Sequence, residues 1–136
     1  MNAADHIDVD RLLSSFLELV QIDSPSGQEE EIGKHLQTIL QDLGCSVRLD
    51  DSGNLMARLP GQGDEIVLVS CHMDTVGTDT GIQPVIRDGV VYSDGSTILG
   101  ADDKAGIAVL LETLKVFREQ PDLPHPPLEI VISVSE

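Results

Sequence analysis

His72-Met73-Asp74 follows an expected buried strand, and further along two aspartates, Asp102 and Asp103, stand before Lys104. Imidazole is a good zinc donor at about 2.0–2.1 Å. Asp74, two residues from His72, can hold the other ring nitrogen and fix the tautomer. A His-x-Asp tripeptide alone also fits a loop histidine bonded to its neighbour. Gly100-Ala101-Asp102-Asp103-Lys104-Ala105-Gly106 opens an expected helix. Acidic residues there complement the helix dipole and cap free N–H groups. Two consecutive aspartates exceed the need of one cap, and a carboxylate at that point can bridge two cations. Glu136 is expected at the end of the last strand. It would stand beside the His72 loop if the two strands are neighbours; otherwise it is an exposed strand end.

Sites in open α/β sheets form just outside the carboxyl ends of strands. Three separate segments bring His72, Asp102 and Glu136 to one such end, and this convergence favours a metal site over the plain reading of each residue. Other candidates are weaker. His6, His35 and His125 have no partners at ligand spacing and read as surface residues. Ser70 and Ser93 lack a nucleophile elbow. Gly61-Gln62-Gly63 has neither the length nor the lysine of a phosphate loop. Lys104 reads as the partner of a nearby carboxylate.

The elements that must position these residues follow from periodicity. Asp8 or Asp10 can cap a first helix with the stripe Leu12, Leu13, Phe16, Leu17 and Val20. Ser26 and Glu29 have capping-box spacing for a second, with Ile32, Leu36, Ile39, Leu40 and Leu43 on one face and Gly44 at its C-cap. Cys45 to Leu49 and Leu55 to Leu59 alternate like half-buried strands and can pair as a hairpin. Ile66-Val67-Leu68-Val69 is continuously apolar, which predicts a central strand buried on both faces. Asp88-Gly89 between Val85-Ile86-Arg87 and Val90-Val91-Tyr92 predicts a tight hairpin. Ile107, Leu110, Leu111, Leu114 and Phe117 mark a third helix starting near Asp103. A proline-rich linker leads to a strand at 128–134. The third strand, this helix and the last strand predict a right-handed crossover. The fold class is α/β, with a mixed, partly parallel sheet flanked by helices.

Of the 136 residues, 40% are hydrophobic but only 2% aromatic, so the core must be built from Leu, Ile and Val. The net charge of −16, from 24 acidic and 8 basic residues, argues against nucleic-acid partners and acidic membrane surfaces. Cys45 and Cys71 make neither a disulfide framework nor a zinc-finger spacing, and suit a reducing compartment. The stretch from Met1 to Val9 lacks the features of a leader, and no apolar run approaches a membrane span. A cytoplasmic protein is expected.

Ser70-Cys71-His72-Met73-Asp74-Thr75-Val76 and Ile98-Leu99-Gly100-Ala101-Asp102-Asp103-Lys104-Ala105-Gly106 resemble the two N-terminal motifs of a dizinc hydrolase family. That family includes peptidase T, carboxypeptidase G, acetylornithine deacetylase and succinyl-diaminopimelate desuccinylase. Ile22-Asp23-Ser24-Pro25-Ser26-Gly27 and Gly53-Asn54-Leu55 are similar to its opening region, and the wording of the second motif is most like the peptidase T branch. The resemblance implies that His72 binds zinc, that Asp74 orients His72 and that Asp102 bridges two Zn2+. Val134-Ser135-Glu136 resembles the start of a Ser-Glu-Glu motif, which implies that Glu136 is the general base. Family members carry further ligands and a sheet-based dimerisation domain along a much longer chain. Residues 1–136 are therefore expected to be the N-terminal segment of a catalytic domain, and alone to bind zinc weakly and hydrolyse no peptide. The open sheet edge suggests association or partial disorder of this segment. The intact protein is expected to release the N-terminal residue of short peptides, as a possible homodimer. The alternatives are a deacylase of N-acyl amino acids and an inactive metal-binding or interaction module.

Overall fold

Asp8 caps the first helix: its side chain accepts the Arg11 N–H, and α1 runs Val9–Val20. The structure is a computed structural model that describes residues 2–136; Met1, the first residue of the stretch read above as lacking a leader, lies outside it. The chain continues through α2 (Glu30–Asp42), β1 (Ser46–Leu49), β2 (Leu55–Leu59), β3 (Val67–His72), β4 (Pro84–Arg87), β5 (Val90–Ser93), α3 (Ala101–Glu119) and β6 (Leu128–Ser133). Gly44 ends α2, and the following Cys45 N–H bonds back to the Leu40 carbonyl.

The main sheet has the order β1-β2-β6-β3. β3 and β6 are parallel, with His72 opposite Ser133, while β2 is antiparallel to both β1 and β6. This is the mixed α/β architecture expected from the sequence. Helix α3 makes the crossover from β3 to β6. The predicted hairpins both form; Asp88 and Gly89 take φ of 51° and 76°, as a primed two-residue turn requires.

Alternation decides which side of the sheet is covered. Leu55, Ala57, Leu128, Ile130, Ile132 and Cys71 are buried on one face, against Ile32, Leu36 and Leu40 of α2 and Ile107, Leu111 and Leu114 of α3. Helix α1 packs on α3 instead of the sheet. Its buried residues are Ser15, Leu19 and Val20, so most of the predicted stripe (Leu12, Leu13, Phe16 and Leu17) is only half-buried.

One expectation fails. The apolar run at 66–69 is not a strand buried on both faces. β3 stands at the sheet edge with β6 as its single neighbour, and Ile66, Val67 and Leu68 are 48%, 45% and 63% exposed. The continuous apolar run reports what the strand is suited to meet, and within these residues nothing lies on its outer side.

Gly61 approaches the proline linker so closely that a Cβ would run into the Pro126 carbonyl and the Pro127 nitrogen. Backbone on both sides leaves nothing flexible to yield. Gly61→Ala is expected to cost about 1–3 kcal/mol in chemical denaturation; an unchanged midpoint would show that the linker shifts freely.

Candidate metal centre

The β3–β6 ladder continues one step past the strands, through the Met73 N–H to the Ser133 carbonyl at 2.8 Å. This fixes His72 and the residues after β6 at the same sheet end. On one side of the His72 ring, Nδ1 lies 2.9 Å from the Asp74 carbonyl oxygen and 3.2 Å from Asp74 Oδ1. Both are acceptors, so Nδ1 carries the proton of the neutral ring and Nε2 presents its lone pair. On the other side, Nε2 lies 3.0 Å from Asp102 Oδ1 and 3.1 Å from Glu136 Oε2. The structure thus brings together His72, Asp74, Asp102 and Glu136. Glu136 differs from expectation in one respect: β6 ends at Ser133, so the carboxylate reaches His72 from the segment beyond the strand.

Asp102 and Asp103 lie in the first turn of α3 but have non-helical backbone angles, and the peptide bond between them is cis. Asp102 is almost fully exposed toward His72, while Asp103 turns inward, with Oδ2 3.4 Å from the His72 N–H. The pair therefore points two ways instead of doubling one cap.

The electrostatics favour a cation. Burial opposes the charged His72 ring, but the Asp102 hydrogen bond, the Glu136 charge and Asp74 outweigh it, and the ring's pKa lies above its ordinary value. A proton on Nε2 is the simplest cation to occupy the focus of these carboxylates. For Asp74, burial raises the pKa, but Ser26, the Glu136 N–H and His72 together hold it below the usual aspartate value. Burial pushes the Cys71 thiol up to about 11, with Asp103 adding to the effect. Cys71 and Cys45 are both free thiols.

Imidazole nitrogen and carboxylate oxygen are donors that zinc accepts. No group of three His, Cys, Asp or Glu side chains among the described residues stands ready to enclose an ion. His72 and Asp102, with Asp74 behind the ring, fit as part of a zinc site.

Three residues outside the predicted set prove to shape it. Ser26 and Glu29 do not form a capping box, since the α2 N-cap has no side-chain bond. Ser26 Oγ instead donates to Asp74 Oδ2 at 2.5 Å. The buried Glu29 carboxylate accepts the Ser135 N–H at 2.9 Å. Asn54 Oδ1 accepts the Val134 N–H at 2.9 Å. The available signal was the pairing of a serine with a glutamate, which local spacing explained equally well as a cap.

Lys104 also departs from expectation. It is fully buried, and its Nζ donates to the Ile22 carbonyl at 2.6 Å instead of to a carboxylate. Burial pushes its pKa down to about 8, partly opposed by Asp23. It ties α3 to the 22–27 segment, where Ser24 Oγ donates to the Met73 carbonyl and the Thr75 N–H donates to the Ser24 carbonyl, both at 2.8 Å. His6, His35 and His125 stay outside the site. They are half-buried: His125 stacks on Phe117 and His35 faces Glu18.

Known proteins share the fold of this chain. The profile of peptidase family M28 matches residues 54–136. The Bacillus subtilis protein YqjE is 47% identical over 93% of this chain and 36% of its own length. A Bacillus cereus peptidase T is 26% identical over 92% of this chain and 42% of its own. Among solved structures, a Staphylococcus aureus tripeptidase is 42% identical with a TM-score of 0.90, covering 96% of this chain and 38% of that one. The Bacillus cereus aminopeptidase PepT is 43% identical with a TM-score of 0.89, covering 95% and 37%. The chain thus spans well under half the length of these relatives. It belongs to peptidase family M28, and the resemblance carried by its two motifs, to the exopeptidases that include peptidase T, extends over more than nine-tenths of its length.

Proposed function

We propose that the full-length protein is a zinc-dependent exopeptidase that releases the N-terminal residue of short peptides. The observation that carries this reading is the His72 ring, held by Asp74 at Nδ1 and faced by Asp102 and Glu136 at Nε2. The likeness to a tripeptidase and to PepT at above 40% identity supports peptides as substrates.

His72 and Asp102 would hold the zinc. When bound, zinc supplies polarisation of the scissile carbonyl and a water of lowered pKa. Asp74 keeps the His72 proton on Nδ1 and the ring plane fixed. Glu136 is the general base: its Oε2 lies 3.1 Å from His72 Nε2, at the sheet end where the metal would be held. It takes the water's proton and passes it to the leaving amine. A cytoplasmic location is part of this proposal, supported by two free cysteines, and no helix among the described residues is long and apolar enough to cross a membrane. Homodimer formation by the intact protein is also proposed, on the peptidase T likeness.

The full-length protein is expected to hydrolyse unblocked tripeptides, to lose activity to a chelator and to regain it with zinc. Cleavage of N-acetyl amino acids but not tripeptides would overturn the substrate. Chelator-resistant turnover would overturn the metal.

A further inference from the structure

Strand β6 ends at Ser133, yet the next three residues follow a defined path to His72. Their backbone N–H groups are all taken by side chains. Val134 donates to Asn54 Oδ1 at 2.9 Å, Ser135 to Glu29 Oε2 at 2.9 Å and Glu136 to Asp74 Oδ1 at 3.2 Å. The acceptors come from the β1–β2 turn, the start of α2 and the loop after β3. Among the described residues no strand pairs with this stretch, and the three acceptors set its direction.

Among the described residues, Glu29 is the member whose side chain has no partner besides Ser135. Asn54 also bonds Asp50, and Asp74 also serves His72 and Ser26. The Glu29 side chain gives its own helix no cap bond. It is nonetheless only 6% exposed, and its Oε2 also accepts from the Ser135 hydroxyl at 3.4 Å. Burying a carboxylate is costly unless hydrogen bonds offset it. Ser135 has φ of 51°, in the left-handed region that non-glycine residues rarely adopt. That conformation turns the chain so that Glu136 points back at His72. Among the described residues, the Glu136 carboxylate is placed by the backbone that carries it, whose N–H donates to Asp74 Oδ1.

We propose that Glu29 is a positioning residue, which holds the left-handed turn at Ser135 and thereby aims the Glu136 carboxylate at the site. The inference rests on the reading of Glu136 as the base. A peptidase cannot tolerate a misplaced base, since small displacements cost on the order of a hundredfold in rate.

The test compares Glu29→Ala and Glu29→Gln in the full-length protein, with two measurements. In tripeptide hydrolysis, Glu29→Ala is expected to lower kcat by about 10–100-fold with KM nearly unchanged, and Glu29→Gln to recover most of it, because its amide oxygen still accepts the Ser135 N–H. In amide exchange, Ser135 and Glu136 are expected to exchange about tenfold faster in Glu29→Ala but not in Glu29→Gln. Unchanged Ser135 exchange in Glu29→Ala overturns the inference. So does loss of kcat in Glu29→Gln equal to that in Glu29→Ala. If the wild type cleaves no tripeptide, the functional reading fails, and exchange alone decides whether Glu29 holds the turn. If Glu29→Ala unfolds throughout, Glu29→Gln decides by the same exchange: protection at Ser135 supports the inference and its loss overturns it.

Discussion

His72→Ala in the full-length protein is expected to abolish tripeptide hydrolysis, lowering kcat/KM by about a thousandfold or more, with loss of bound metal. The size follows from the ring's position. Among the described residues Nε2 is the one side-chain nitrogen facing Asp102 and Glu136, and removing it leaves three carboxylates clustered without their positive or metal-binding partner. Substitutions around the ring separate the roles. Asp74→Asn keeps the shape but weakens the hold on Nδ1, and about a 10–100-fold loss of metal affinity is expected. Glu136→Gln should keep the metal and lower kcat by about 10²–10⁴-fold, as loss of a general base does. Metal content by elemental analysis, measured beside kcat and KM, distinguishes these cases. Full metal content in His72→Ala would remove His72 from the ligand set.

Much of this site was legible because its chemistry is local. His72 and Asp74 are two residues apart and act on one ring. Asp102 stands just ahead of an apolar helix pattern, and the pattern fixes where that helix begins. The fold was legible for the same reason: apolar periodicity placed the strands that carry His72 and precede Glu136, and their parallel pairing follows from the crossover through α3. What escaped was non-local. Glu29 meets Ser135 and Ser26 meets Asp74 across long stretches of chain. Local spacing offered both residues a cap, and the cap and the tertiary bond compete for the same oxygen. Lys104 escaped because a carbonyl, unlike a carboxylate, leaves no trace in residue type. The edge position of β3 escaped because apolarity reports a strand's suitability for cover and says nothing of neighbour order.

Arg11→Met is expected to destabilise this chain by about 3 kcal/mol or more, far from the site. Glu112 on α3 is only 2% exposed, and Arg11 meets it through two bonds of 2.8 Å, Nε to Oε2 and Nη2 to Oε1. Glu112 also accepts the Asp8 N–H at 2.9 Å, at the cap of α1. The pair is thus one polar link between α1 and α3, beside Lys115 Nζ donating to Ser15 Oγ at 3.0 Å, and its loss leaves a buried carboxylate without its charged partner, which costs about 3–5 kcal/mol. The pH dependence gives the sharper test. The Arg11 hydrogen bond, against the opposing effect of burial, holds the Glu112 carboxyl below its ordinary 4.5. Between the folded and unfolded values the unfolded chain binds more protons, so stability rises with pH there. This contribution is fully present above 4.5 and is lost as pH falls through the lowered folded value. In Arg11→Met the largest cause that lowers the carboxyl is gone, leaving burial against the Asp8 N–H and the Lys115 charge, so the folded value rises and the variant's deficit should shrink in acid. Urea denaturation of both proteins at neutral pH and below 4.5 measures the two free energies. A deficit that stays constant across this range would mean that Arg11 stabilises the helix pair through its aliphatic stem and its contact with Glu119, with Glu112 neutral in the folded chain.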